Sequence, residues 1–165
     1  MSGAIRATIA YRFAKEYFMT NRTARPLIGR QHALGHEVID FEHTAIADWW
    51  FRAVGCEQIQ FPFFIARLKK LMRDHFDHEA ALMKLAGGEL CRCHRREHQM
   101  LLQLCDQVNA LGRQNWRKAQ SLLRSQLPKL VREHIICMDQ LVVLFINTNG
   151  AIVRPRRSGP ADCEP

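Results

Sequence analysis

The amino-acid sequence predicts an all-α protein: an up-down-up-down four-helix bundle with an N-terminal arm. Three observations predict it. Apolar residues recur every three to four positions along four separate stretches, the period of an amphipathic helix. Glycine, proline and asparagine punctuate the chain between those stretches and leave short loops, which set neighbouring helices antiparallel. No stretch of useful length alternates apolar and polar residues as a half-buried strand does. With 165 residues, 47% of them hydrophobic, the chain is long enough for one domain with a substantial core.

Three regions are expected: a basic extension and arm over 1–33, the bundle over 34–150, and a basic tail over 151–165 that reads as disordered. In the extension, Ile5, Ile9, Phe13 and Phe18 are spaced for a short amphipathic helix. Pro26 and Gly29 then break any helix and predict an extended arm. The first bundle helix is expected over 38–54. Its stripe is Ile39, Ile46, Trp50 and Val54, with His43 on the same face, and Gly55 stops it. The second, over 62–86, opens on Pro62, which suits a first turn. Its stripe is Phe64, Leu68, Leu71, His75, Glu79, Leu82 and Ala86, and Gly87 and Gly88 end it. The third, over 89–111, carries His94, His98, Leu101, Cys105 and Val108. The fourth, over 116–147, carries Leu123, Leu127, Leu130, His134, Met138, Leu141 and Phe145, and Pro128 should kink or divide it.

The formal net charge is +8. Arginines and lysines crowd the N-terminal extension, and Arg92, Arg95 and Arg96 decorate the third helix. No reading helix, aromatic stacking set or phosphate loop accompanies them, so a solvated basic surface is the reading and no nucleic-acid partner is expected. No apolar run reaches the roughly 18 residues that a membrane span needs, so no transmembrane segment is expected. The six cysteines form no CxxC pair. They read as free thiols in a reducing cytoplasm.

Chemistry lies on the buried stripes. His75 with Glu79, and His94 with His98, stand at i,i+4 spacing, about 40° apart on a helix, so each pair aims two donor atoms at one place. His43 faces the same core. His134 and Asp139 are five apart, about 140° on a regular helix; they meet at a site holding two metals, or across a local π-bulge. Five histidines and two carboxylates on converging apolar faces carry a heavy desolvation cost unless metal binds them. They are too many ligands for one tetrahedral zinc. HRREH (94–98) also lacks the glutamate that a zinc protease places directly after its first histidine. Imidazole with carboxylate suits iron, among others. If both carboxylates bridge two octahedral ions together with a hydroxide, one position stays open for a small ligand. An imidazole-dominated shell suits reversible dioxygen binding better than O–O cleavage.

Four segments, GHEVIDFEH (35–43), HFDHEAALM (75–83), HRREH (94–98) and HIICMD (134–139), closely resemble the hemerythrin family, over roughly 34–147. The resemblance implies two non-heme iron ions with a bridging oxo or hydroxo group. His94, His98 and His134 would bind one iron, and His43 and His75 the other. Glu79 and Asp139 would bridge them, and dioxygen would bind at the iron held by two histidines. The chain departs from the family pattern at Ala80, where a second carboxylate often follows the bridging glutamate, and at Pro128–Leu130, where an aromatic residue is usual. The implied function is a non-enzymatic dioxygen carrier, store or delivery protein. A sensor or signalling module for O2, NO or iron, and a di-iron peroxidase or NO-handling enzyme, stand as alternatives on the same site. His32, His36 and His78 are not counted as ligands, and Cys137 reads as an inert packing residue.

Overall fold

The computed structural model describes residues 27–150. The expected amphipathic helix of the extension and the tail after Gly150 lie outside the described residues. Four antiparallel helical arms form the bundle. They comprise α1 (Glu37–Gly55), α2 (Phe61–Leu85), α3 (Arg92–Gln114) and a fourth arm built from α4 (Trp116–His134), a π-helical turn (Ile135–Asp139) and α5 (Gln140–Gly150). Each arm packs on the next, and the fourth returns to α1. Among the described residues there is no strand, and no helix is long and apolar enough to cross a membrane.

The arm is less extended than expected. Arg30–His32 form a 3-10 turn, in which Nδ1 of His32 accepts the N–H of Gly29 at 2.9 Å. Leu27 is buried in the core. Asp40, in the first turn of α1, accepts the N–H groups of Leu34 (2.8 Å) and Gly35 (2.9 Å), tying the arm to the helix. Gly35 has φ +77°, a left-handed conformation that glycine adopts without a side-chain clash. The α2–α3 connection ends α2 in a Schellman motif. Gly87 (φ +82°) donates to Lys84 O and Gly88 donates to Met83 O, which satisfies two terminal carbonyls. The third helix starts later than its periodicity suggests, at Arg92, because Cys91 caps it: its sulfur accepts the His94 N–H at 3.2 Å.

Three expectations are corrected. Pro128 neither divides nor ends the fourth arm; α4 continues through it to His134, and the interruption falls at the π-helical turn. Cys91 and Cys93, expected as free thiols, are joined as a disulfide, whereas Cys56, Cys105 and Cys137 are free. Cys137 is exposed, so it is not a packing residue.

The core is divided along the bundle axis. Most of it is apolar: Ile46, Trp50 and Val54 of α1, Phe61, Ile65, Leu68 and Met72 of α2, Leu101, Cys105 and Val108 of α3, and Leu123, Leu127 and Val131 of α4. Trp50 spends its one polar atom on Leu123 O at 3.3 Å, so the ring is buried without an orphaned donor. A small second cluster, Met83, Leu90 and Val142, closes the opposite end. The polar residues of the four stripes occupy the layer between the two.

Candidate metal centre

His43 lies two turns into α1, His75 and Glu79 near the end of α2, and His94 and His98 at the start of α3. His134 closes α4, and Asp139 closes the π-helical turn. In antiparallel helices these positions fall at one level. All seven are buried, with Glu79 and Asp139 at 0% exposure. Regular helix would turn Asp139 away from His134. Gln140 instead donates its N–H to Ile135 O, five residues back, and the widened turn brings Asp139 Oδ1 to 3.0 Å from His134 Nε2.

The donors fall into two overlapping groups that could hold metal ions: Glu79, His94, His98, His134 and Asp139; and His43, His75 and Asp139. In the second group Nε2 of His43 stands 3.2 Å from Nε2 of His75 and 3.1 Å from Asp139 Oδ2. In the first, Nε2 of His98 and His134 are 3.1 Å apart, and Asp139 Oδ1 lies 3.4 Å from His94 Nε2. Asp139 therefore presents one oxygen to each group. Glu79 Oε2 is 3.2 Å from His98, 3.5 Å from His94 and 3.8 Å from His75, so it leans toward the three-histidine side.

Among the described residues, five buried side-chain atoms have no hydrogen-bond partner: His43 Nδ1, both oxygens of Glu79, His94 Nε2 and Asp139 Oδ1. All belong to these seven residues. His94 and the carboxylates are close enough for charge attraction but are not directed as hydrogen bonds. Each buried polar atom left this way costs about 1–3 kcal/mol, and coordination to a metal would remove that cost for the four on Glu79, His94 and Asp139, though not for His43 Nδ1, since that ring presents Nε2 to the centre. The donor set of imidazole and carboxylate fits iron.

Without metal, Glu79, His94, His98, His134 and Asp139 shift one another's protonation. Burial pushes the Asp139 carboxyl up, but the rings of His134, His43 and His94 outweigh it and hold it well below its ordinary range. The same balance, with His94 and His98 prevailing over burial, lowers Glu79. Burial acts downward on His94, yet Asp139 and Glu79 raise it to about 9. His134 also rises, Asp139 prevailing over burial. His98 falls, burial being the main cause, with Glu79 opposing and His134 and His94 adding to it.

Around the donors, Phe76 stacks on His98 at 3.8 Å between ring centroids. A small cavity beside His43, His75 and Asp139 has room for the centre of about one water-sized molecule. The other histidines lie outside the donor groups. His36 Nδ1 accepts the Ile39 N–H at the start of α1, and His32 is in the arm. Two acids that the periodicity did not single out touch site histidines from behind. Glu42 Oε2 is 3.0 Å from His75 Nδ1, and Glu97 Oε2 is 2.9 Å from His134 Nδ1. A Glu-His dipeptide stands at 42–43, 97–98 and 133–134, so the dipeptide alone does not mark these two acids.

Fold and site together define a helical-bundle protein with a buried histidine–carboxylate cluster that can take up metal. The chain is similar to the bacteriohemerythrin of Ralstonia nicotianae, 24% identical over 121 residues that cover 73% of this chain and 88% of that protein. No family model matches, and no solved structure matches. The likeness is distant, and it is a likeness to a hemerythrin.

Proposed function

We propose that the chain is a non-heme di-iron protein that binds dioxygen reversibly as a carrier, store or delivery protein, and that it is not an enzyme. His94, His98 and His134 would hold one iron and His43 and His75 the other, with Glu79, Asp139 and an oxo or hydroxo group bridging. When bound, the iron pair supplies the electrons that a reversible dioxygen complex needs. The cavity beside the two-histidine group carries this reading. Apart from His43, His75, His134 and Asp139 it is lined by Ile46, Met72, Phe76, Leu101, Val131 and Ile135. These side chains exclude bulk water and offer no acid or base to a bound ligand, which favours binding over bond cleavage. The distant similarity to a bacteriohemerythrin supports the same reading. Dioxygen is the partner it implies. The cytoplasm is the proposed location; the free thiols at Cys56, Cys105 and Cys137 fit it and the Cys91–Cys93 disulfide does not.

Anaerobic loading with ferrous iron followed by cycles of air and argon tests the proposal. Two irons per chain and a visible absorption band that appears in air and disappears under argon are expected. Fewer than two irons, no reversible band, or rapid turnover of hydrogen peroxide or nitric oxide that His75→Ala abolishes would overturn it.

A further inference from the structure

We propose that Glu42 and Glu97 are positioning residues of the metal centre, Glu42 fixing His75 in one donor group and Glu97 fixing His134 in the other, each through the outer ring nitrogen. The inference rests on the two-metal reading above. An ionised carboxylate only accepts hydrogen bonds. At 3.0 Å from Glu42 and 2.9 Å from Glu97, Nδ1 of His75 and of His134 must therefore be the protonated nitrogen. In a ring that binds metal, Nε2 would then be the nitrogen left to coordinate, and each Nε2 points into the donor groups. His75 Nε2 lies 3.2 Å from His43 Nε2, and His134 Nε2 lies 3.1 Å from His98 Nε2.

The two contacts repeat one design. Glu42 directly precedes His43 on α1 and reaches across to His75 on α2. Glu97 directly precedes His98 on α3 and reaches across to His134 on α4. Neighbouring residues on a helix point about 100° apart, so the histidine can enter the centre while the acid stays at the edge where two helices meet. In each case the histidine beside the acid and the histidine held by the acid belong to the same donor group. One dipeptide thus supplies a donor and orients its companion on the next helix. Glu42 has a second anchor, since its Oε1 lies 2.8 Å from Nδ1 of the half-exposed His78. Carboxylates that hold metal-bound histidines in this way typically contribute about 10–100-fold in metal affinity.

The test compares wild type, Glu42→Ala, Glu97→Ala, Glu42→Gln and Glu97→Gln in the full chain. Zinc(II) serves as a diamagnetic probe, alongside anaerobic ferrous iron. Chelator competition reads the two affinities, and proton NMR of the zinc form reads the slowly exchanging Nδ1–H signals of His75 and His134. Each alanine variant is expected to weaken one of the two metal sites about 10–100-fold and to lose the Nδ1–H signal of its own histidine, with helicity unchanged. The glutamine variants, whose amide oxygen still accepts the bond, should recover most of that loss. The proposal fails if both alanine variants bind two ions as wild type does. It also fails if either variant loses both ions together with its helicity, or if glutamine rescues nothing. Failure of the wild type itself to bind two ions overturns the two-metal reading and this proposal with it, and is told apart because it occurs before any substitution.

Discussion

The two layers of this core are built on opposite principles. Around Trp50, Phe61, Leu68 and Leu123 the four helices exclude water with apolar side chains, and the one indole N–H there has a partner. A few turns along the same helices, around Glu79 and Asp139, seven polar side chains converge and five of their atoms are left without hydrogen bonds. The first layer drives folding, at about 1.5–3 kcal/mol for each large side chain fully buried. The second opposes folding until something binds it. The bundle can carry the second because the first is larger, and the small cluster of Met83, Leu90 and Val142 seals the polar layer from its other side.

If that division is right, Trp50→Ala should cost about 3–5 kcal/mol in denaturant unfolding. The cost should be the same with and without metal, since the residue is remote from the donors. A cost that collapses on metal removal would mean that the layers are not independent. Stripping the metal should lower stability by about 3 kcal/mol for each ion removed, relative to protein at a metal concentration near one hundred times Kd. Equal melting temperatures in chelator and in iron would break the comparison outright. Glu79→Ala should show its effect in metal content: the paired centre is lost and no more than one ion per chain is retained by elemental analysis. Two retained ions would remove Glu79 from the centre. The smallest effect belongs to His78→Ala, which leaves Glu42 in contact with His75. Both ions should stay, and stability should change by no more than about 0.5 kcal/mol.

The four-helix bundle was legible because each stripe is long and keeps its period, and because Gly55 and the Gly87–Gly88 pair stand where helices stop. The donors were legible for the opposite reason: His75, Glu79, His94 and His98 interrupt apolar faces where polar groups are costly. Glu42 and Glu97 were not, because they sit off the stripe at positions where a solvated acid is ordinary. Their role depends on a histidine of the next helix, which no spacing within one helix can reveal. Proline misled for a similar reason. A kink or a division was expected at Pro128; the helix is not divided there, and α4 runs through it with Leu127 and Pro128 themselves buried. The Cys91–Cys93 disulfide depends on a turn geometry that the two-residue spacing does not specify.

The π-helical turn acts as a phase slip in the fourth arm. An uninterrupted helix would carry the stripe of Leu127 and His134 on to Met138, Leu141 and Phe145. The extra residue in the turn advances that register by one. Asp139, Val142 and Val143 face inward, while Leu141 and Leu144 are left at 61% and 62% exposure. Two bare leucines on the outside are thus the counterpart of one carboxylate on the inside. Straightening the turn would exchange them, hiding Leu141 and sending Asp139 into water. The same five residues therefore decide both the register in which the last helix packs and whether the two donor groups share an oxygen-bearing side chain.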